Sequence, residues 1–114
     1  MVDVREYIDQ SGRSRYRKWF DRLNPAAAAK ITTALTRLAG GNFSNVKGVG
    51  PGLFEYKVDF GPGYRIYFGK DGERLVILLG GGSKTRQQVD IAAALASWQE
   101  YRRRKKEEYR APHS

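Results

Sequence analysis

Cysteine is absent from the 114 residues, so neither a disulfide nor a thiolate metal site can form. Histidine occurs once, as His113 beside the C-terminus, where order is least expected. A histidine-centred catalytic pair and a histidine metal site are therefore set aside, and no metal or other cofactor is expected. Long apolar runs are missing too. Nothing approaches the roughly 18 apolar residues that a membrane helix needs. The opening MVDVREYIDQSG holds no apolar stretch that could serve as a signal peptide. The expectation is a cytoplasmic protein with no membrane partner. Internal repeats and low-complexity linkers are also lacking, which leaves one domain around one core.

What is present is positive charge. Lysine and arginine total 21 against 12 acidic residues, a formal net charge of +9. On so small a domain this points to nucleic acid or an acidic protein partner, with a merely solubilising surface as the plain alternative. The stretch Arg102 to Arg110, RRRKKEEYR, carries part of the excess, and the body carries the rest. The division expected is a folded domain over 1–101 and a basic tail over 102–114, unstructured at its end or touching RNA phosphates.

Periodicity gives the elements. Val2, Val4 and Ile8 suggest a first strand. Tyr16, Trp19, Phe20 and Leu23 fall at i, i+3, i+4 and i+7, a short helix with one apolar face. Asn24-Pro25 reads as an N-cap followed by proline at the first helical position. Ala28, Ile31, Leu35 and Leu38 then form the stripe of a second helix that ends at Gly40-Gly41. Asn42 to Gly52 reads as a glycine-rich loop whose only charge is Lys47. Thr85 with Gln88 resembles a capping box, and Ile91, Leu95 and Trp98 mark a long C-terminal helix that runs on into the charged RRRKKEE segment and frays there. Trp19 and Trp98 read as core or partner-facing positions rather than base-stacking platforms.

Between these helices the alternation has period two. Phe54, Tyr56, Val58 and Phe60 share a face, and after Gly61-Pro62-Gly63 so do Tyr64, Ile66 and Phe68. A three-residue loop would set Asp59 opposite Arg65 and Lys57 opposite Tyr67 on the other face, with Glu55 further along. Asp71-Gly72 signals a two-residue hairpin, and Leu75 to Leu79 an unbroken strand buried on both faces. The fold class expected is α+β, in the order β-α-α-β-β-β-α: an antiparallel meander on a helical hairpin, with a long C-terminal helix. Glu55, Lys57, Arg65 and Tyr67 cluster on its polar face. Cutting RNA without histidine or metal needs a base for the 2′-OH, cations for the phosphorane charge and an acid for the leaving oxygen. Those four residue types can supply these roles, arginine because its planar fork grips two phosphate oxygens. An ordinary solvated sheet face would carry the same residues.

The segment LAGGNFSNVKGVGPGLFEYKVDFGPGYRIYF, followed by LVILLGGGSKTRQQVDIAAA, resembles the phage-derived addiction module killer branch of the RelE/ParE superfamily, close to HigB-type toxins. The resemblance implies the RelE-like fold and a toxin restrained by a cognate antitoxin. It further implies metal-independent mRNA cleavage on the ribosome. It gives Arg65 the scissile phosphate, sets Lys57 beside it, and offers Lys84 and Arg86 as further RNA contacts, with Lys47 and Tyr67 as additional candidates. Relatives carry lysine where Glu55 stands, which leaves Glu55 as either general base or salt-bridge holder. A tyrosine near the start of the last helix has no match here; Tyr64 or Tyr67 are the possible substitutes, though Tyr64 is expected to point into the core. ParE-like inhibition of DNA gyrase without catalysis is the alternative function, and a binding module that has lost its activity a third.

Overall fold

The computed structural model describes residues 1–110, and side chains through residue 108; His113 and the end of the basic tail lie outside the described residues. The elements are β1 (Asp3–Glu6), α1 (Arg15–Phe20), α2 (Pro25–Ala39), β2 (Val46–Gly50), β3 (Leu53–Val58), β4 (Tyr64–Lys70), β5 (Leu75–Ser83), a 3-10 turn (Lys84–Arg86) and α3 (Gln87–Arg110). The class is α+β. The five strands lie in the order β1-β5-β4-β3-β2, with β1 parallel to β5 and every other pair antiparallel.

Local chemistry accounts for the helical hairpin. The Asn24 side chain accepts from the Ala27 N–H at 2.8 Å and Pro25 opens α2, as the Asn-Pro pair foretells. Ser14 caps α1 in the same way, accepting from Arg17 N–H at 3.0 Å. The stripe that α2 buries is Ala27, Ile31, Ala34 and Leu38. Ala28 and Leu35 are only half-buried, so the stripe is rotated slightly from the expected one.

Four expectations need correction. Asp71-Gly72 does not close a two-residue hairpin: residues 71–74 join β4 to β5, and Lys70 pairs with Val76. The stretch read as a loop contains β2, whose VKGVG sequence has no apolar alternation; its pairing with β3 rests on backbone groups, which glycine supplies as well as any residue. The β3–β4 register is offset by one pair of residues from the three-residue loop reading. Val58 faces Tyr64, Tyr56 faces Ile66, and residues 59–63 form the connection, with Gly61 and Gly63 both at positive φ. The expected capping box is not formed, because residues 84–86 make a 3-10 turn and Ser83 instead shares a hydroxyl–hydroxyl hydrogen bond with Thr85 at 3.0 Å.

The sheet is buried on both faces. One face meets α1 and α2 through Tyr16, Ile31, Leu38, Tyr56, Ile66 and Phe68. The other meets α3 through Leu53, Tyr67, Leu79, Ala94 and Trp98, with Tyr7 at the side. Val76 and Leu78 go to the first core and Ile77 and Leu79 to the second, as the unbroken run of β5 requires. Two glycines set the helix distances. A Cβ at Gly81 would fall inside the indole of Trp19, and one at Gly69 inside that of Trp98.

Helix α3 runs about 36 Å at 1.5 Å per residue, through the proposed boundary at residue 102 and on to Arg110. It is tied down beyond that boundary. Arg104 donates to the Tyr7 hydroxyl at 3.1 Å and to the Ile8 carbonyl at 2.9 Å. Tyr101 donates to Asp71 at 2.5 Å, and Lys105 pairs with the same carboxylate. No helix among the described residues is long and apolar enough to cross a membrane.

Candidate functional site

Strand pairing assembles the polar residues. Lys57 on β3 lies opposite Arg65 on β4, Glu55 lies opposite Tyr67, and β2 brings Lys47 opposite Glu55. Facing residues on adjacent strands hold their Cβ atoms roughly 5 Å apart, so Lys47, Glu55, Lys57 and Arg65 share one neighbourhood. They line a cleft of about 450 Å³ together with Ser44, Asn45 and Asp59.

Glu55 is the hub. Its Oε2 accepts from Arg65 Nε at 3.3 Å and sits 3.8 Å from Lys47 Nζ, while its Oε1 accepts from Gln87 Nε2 at 3.2 Å. The Glu55 and Arg65 side chains are only 1% and 8% exposed, against 66% for Lys47 and 52% for Lys57. The cleft thus has a buried, ion-paired floor and two solvated ammonium groups at its mouth. Arg65 Nη1 is buried with no hydrogen-bond partner among the described residues. A guanidinium has five donors, so holding Glu55 does not exhaust Arg65. The exposed ammonium groups of Lys47 and Lys57 can attract an anion such as a phosphodiester, and Arg65, buried beneath them, would have to turn outward to grip it.

Several of the sequence candidates are placed elsewhere. Asp59 does not pair with Arg65; the register offset sets it beside Lys57, 3.6 Å away on its own side of the hairpin. Tyr67 is fully buried in the core beneath α3, so it cannot touch RNA at the surface. Burial, then the charges of Glu55 and Asp90, push its hydroxyl up to about 12. The difference has a plain cause: period two shows which face a residue takes, not whether a helix covers that face. Tyr64 is half-buried at the edge of the first core, edge-on to Trp19, and no nearer to replacing the missing tyrosine. Lys84 is exposed, and its backbone N–H donates to the Gly63 carbonyl at 3.0 Å, which fixes the 3-10 turn to the β3–β4 connection. Arg86 is exposed and lines a different groove, between α1 and α3.

Gln87 is the residue that sequence reasoning left without a role. It opens α3 and reaches across to the sheet, so the site joins β2, β3, β4 and the last helix. Its signal was its place in the stretch after the last strand, but an amide carries no charge pattern to mark it. Among the described residues no group of three or more histidines, cysteines or carboxylates gathers as a metal would require.

No family model matches the chain. An uncharacterized protein of Haemophilus influenzae is 46% identical to it over 77 residues, which is 67% of this chain and 78% of that protein.

Proposed function

We propose that this chain, which belongs to one family with that Haemophilus influenzae protein, is the toxin of a toxin–antitoxin pair and cleaves mRNA on the ribosome. The reading draws on the resemblance of Gly61 to Phe68 and Gly81 to Ile91 to RelE/ParE toxins of the HigB-like branch. The observation that carries it is the cleft: an arginine at the floor, with the ammonium groups of Lys47 and Lys57 at the mouth. In this scheme the 2′-OH attacks the scissile phosphorus as the P–O5′ bond breaks, leaving a 2′,3′-cyclic phosphate and a free 5′-OH. Arg65 binds the phosphate and stabilises its developing charge, and Lys57 supplies the second cation. The 2′-OH proton passes to water, and the 5′ oxygen takes a proton from solvent at the cleft mouth. Glu55 takes the part of holder rather than base, because Arg65, Lys47 and Gln87 already occupy its oxygens. A cognate antitoxin is the partner in the resting cell, and the cytoplasm the compartment.

The test is induced expression in bacteria with mapping of mRNA ends. Wild type is expected to arrest growth and cut translated messages. Lys57→Ala removes a side chain that is 52% exposed, so the fold should stand while cleavage falls, by the 10²–10³-fold typical of one missing charge-stabilising group, as an order-of-magnitude figure. Arg65→Lys keeps the charge but loses the fork. Equal toxicity and unchanged RNA ends in both variants would remove the proposal.

One observation favours a second reading. The buried Glu55–Arg65 pair is also what a structural ion pair looks like, and a ParE-like inhibitor of DNA gyrase would need nothing more from it. Induction would then break DNA and leave mRNA whole.

A further inference from the structure

The groove between α1 and the start of α3 measures about 730 Å³, and none of its lining residues belongs to the Arg65 cleft. Its floor includes the β5 backbone at Gly80, with Ala93 and Ala94 on the α3 side and Trp19 on the α1 side. Gly80 is buried, yet a Cβ placed there would meet nothing within 4 Å. The groove therefore reaches down to main chain and leaves a slot on the α3 side of β5, bounded by the small side chains of Ala93 and Ala94.

The rim is arginine. Arg13, Arg15, Arg22 and Arg86 line it, are exposed, and have no carboxylate within ion-pair distance among the described residues. The nearby acids are mostly occupied. Glu6 pairs with Arg17 at 2.5 Å, Asp21 lies 3.8 Å from the same guanidinium, and Asp9 accepts from Ser11 and Arg13 in a tight turn. Asp90 is the remaining one. It is half-buried against Gly82, and the opposite charges acting on it are those of Arg86 and Arg15.

Each part has a chemical preference. A slot open to backbone suits a planar group. Guanidiniums along the rim suit phosphate oxygens. A half-buried carboxylate accepts from N–H donors such as those on a base edge, and it would repel the side chains of an acidic peptide. We infer that this groove binds one nucleotide of single-stranded RNA, with the base in the slot over Gly80 and its phosphate on Arg15 and Arg86. The inference rests on the RNA reading of the Arg65 cleft and adds a second binding point outside it.

The experiment is fluorescence anisotropy of the full chain with a labelled single-stranded RNA decamer, 2′-O-methylated throughout so that it cannot be cut. Arg15→Ala with Arg86→Ala changes two exposed side chains. It is expected to flatten the dependence of log affinity on log salt by about 0.7, the amount for one single-strand phosphate that is no longer neutralised. Gly80→Val fills the slot. It is expected to weaken binding about fivefold or more, the low end of what removing one stacked base costs, with an unchanged circular dichroism spectrum. Wild-type affinity and salt slope in both variants would overturn the inference. So would displacement of the RNA by polyglutamate as readily as by unlabelled RNA, which would give the groove to an acidic protein. Because the probe is uncleavable and no ribosome is present, failure here leaves the cleavage reading standing, and failure of Lys57→Ala in cells leaves this one standing.

Discussion

Arg65 and Glu55 lie on adjacent strands with Nε and Oε2 3.3 Å apart, and neither side chain is more than 8% exposed. Removing one partner of a buried pair strands the other charge, which costs about 3 to 5 kcal/mol, whereas replacing both by apolar groups is often close to neutral. Arg65→Met is therefore expected to be strongly destabilising in urea denaturation, and Glu55→Leu with Arg65→Met less so than the single change. Simple additivity of the two single changes would show that the pair is not coupled.

Adjacent glycines in β5 give the sharpest contrast in packing. Gly81→Ala drives a methyl group into Trp19 and should cost about 1 to 3 kcal/mol, the usual range for overpacking. Gly80→Ala meets open space and should be neutral or stabilising by about 0.4–1 kcal/mol, because the unfolded chain has less entropy to give up. Equal thermal midpoints for the two variants would contradict the position assigned to Trp19.

Asp90 and Asp71 should respond to pH in opposite senses. Burial raises the Asp90 carboxyl above its ordinary 3.8, against the pull of Arg86 and Arg15. Ionised Asp90 therefore opposes folding: its favourable contribution is complete below 3.8 and is lost as pH rises through the higher folded value. Asp90→Asn is expected to be more stable than wild type at neutral pH, with the difference closing in acid.

The hydrogen bond from Lys105, and then that from Tyr101, lower the Asp71 carboxyl below 3.8. Its stabilisation is complete above 3.8 and disappears as pH falls through the lowered folded value. Chemical denaturation from pH 7 downward should show wild type losing its advantage over Asp71→Asn across that interval. A constant gap would mean that the tie to α3 carries no charge dependence.

A chain cut after Tyr101 tests the same tie from the other side. It lacks Arg104 and Lys105, and with them the bonds to Tyr7, Ile8 and Asp71. A lower thermal midpoint is expected. An unchanged one would mean that residues 102–114 are separable from the folded domain.

Much of the fold was legible because it depends on local signals. Asn24-Pro25 starts α2, and the alternation from Phe54 to Phe68 sorts Tyr56, Val58, Ile66 and Phe68 onto one face whatever the register. The register itself was not legible. Gly61-Pro62-Gly63 turns equally well within a three- or a five-residue connection, and only pairing across the strands decides between them. That choice moved Lys57 to face Arg65 and took Asp59 away from it. The same limit hid the burial of Tyr67. Ile91, Leu95 and Trp98 announce an apolar helix face, and Tyr101 extends it, but not the surface it covers. Arg65, Lys57 and Glu55 were legible together because two adjacent strands hold them; Lys47 joins them only through β2, which reads as a loop, and the last turn before α3 carries Arg86 to another side.

The register of β2 shifts between Gly48 and Gly50. Since β2 is an outer strand, this kink breaks the row of main-chain donors and acceptors it presents to solvent into lengths too short to template another chain. One margin of the sheet is thereby blunted against edge-to-edge pairing, and the other, β1, is only four residues long.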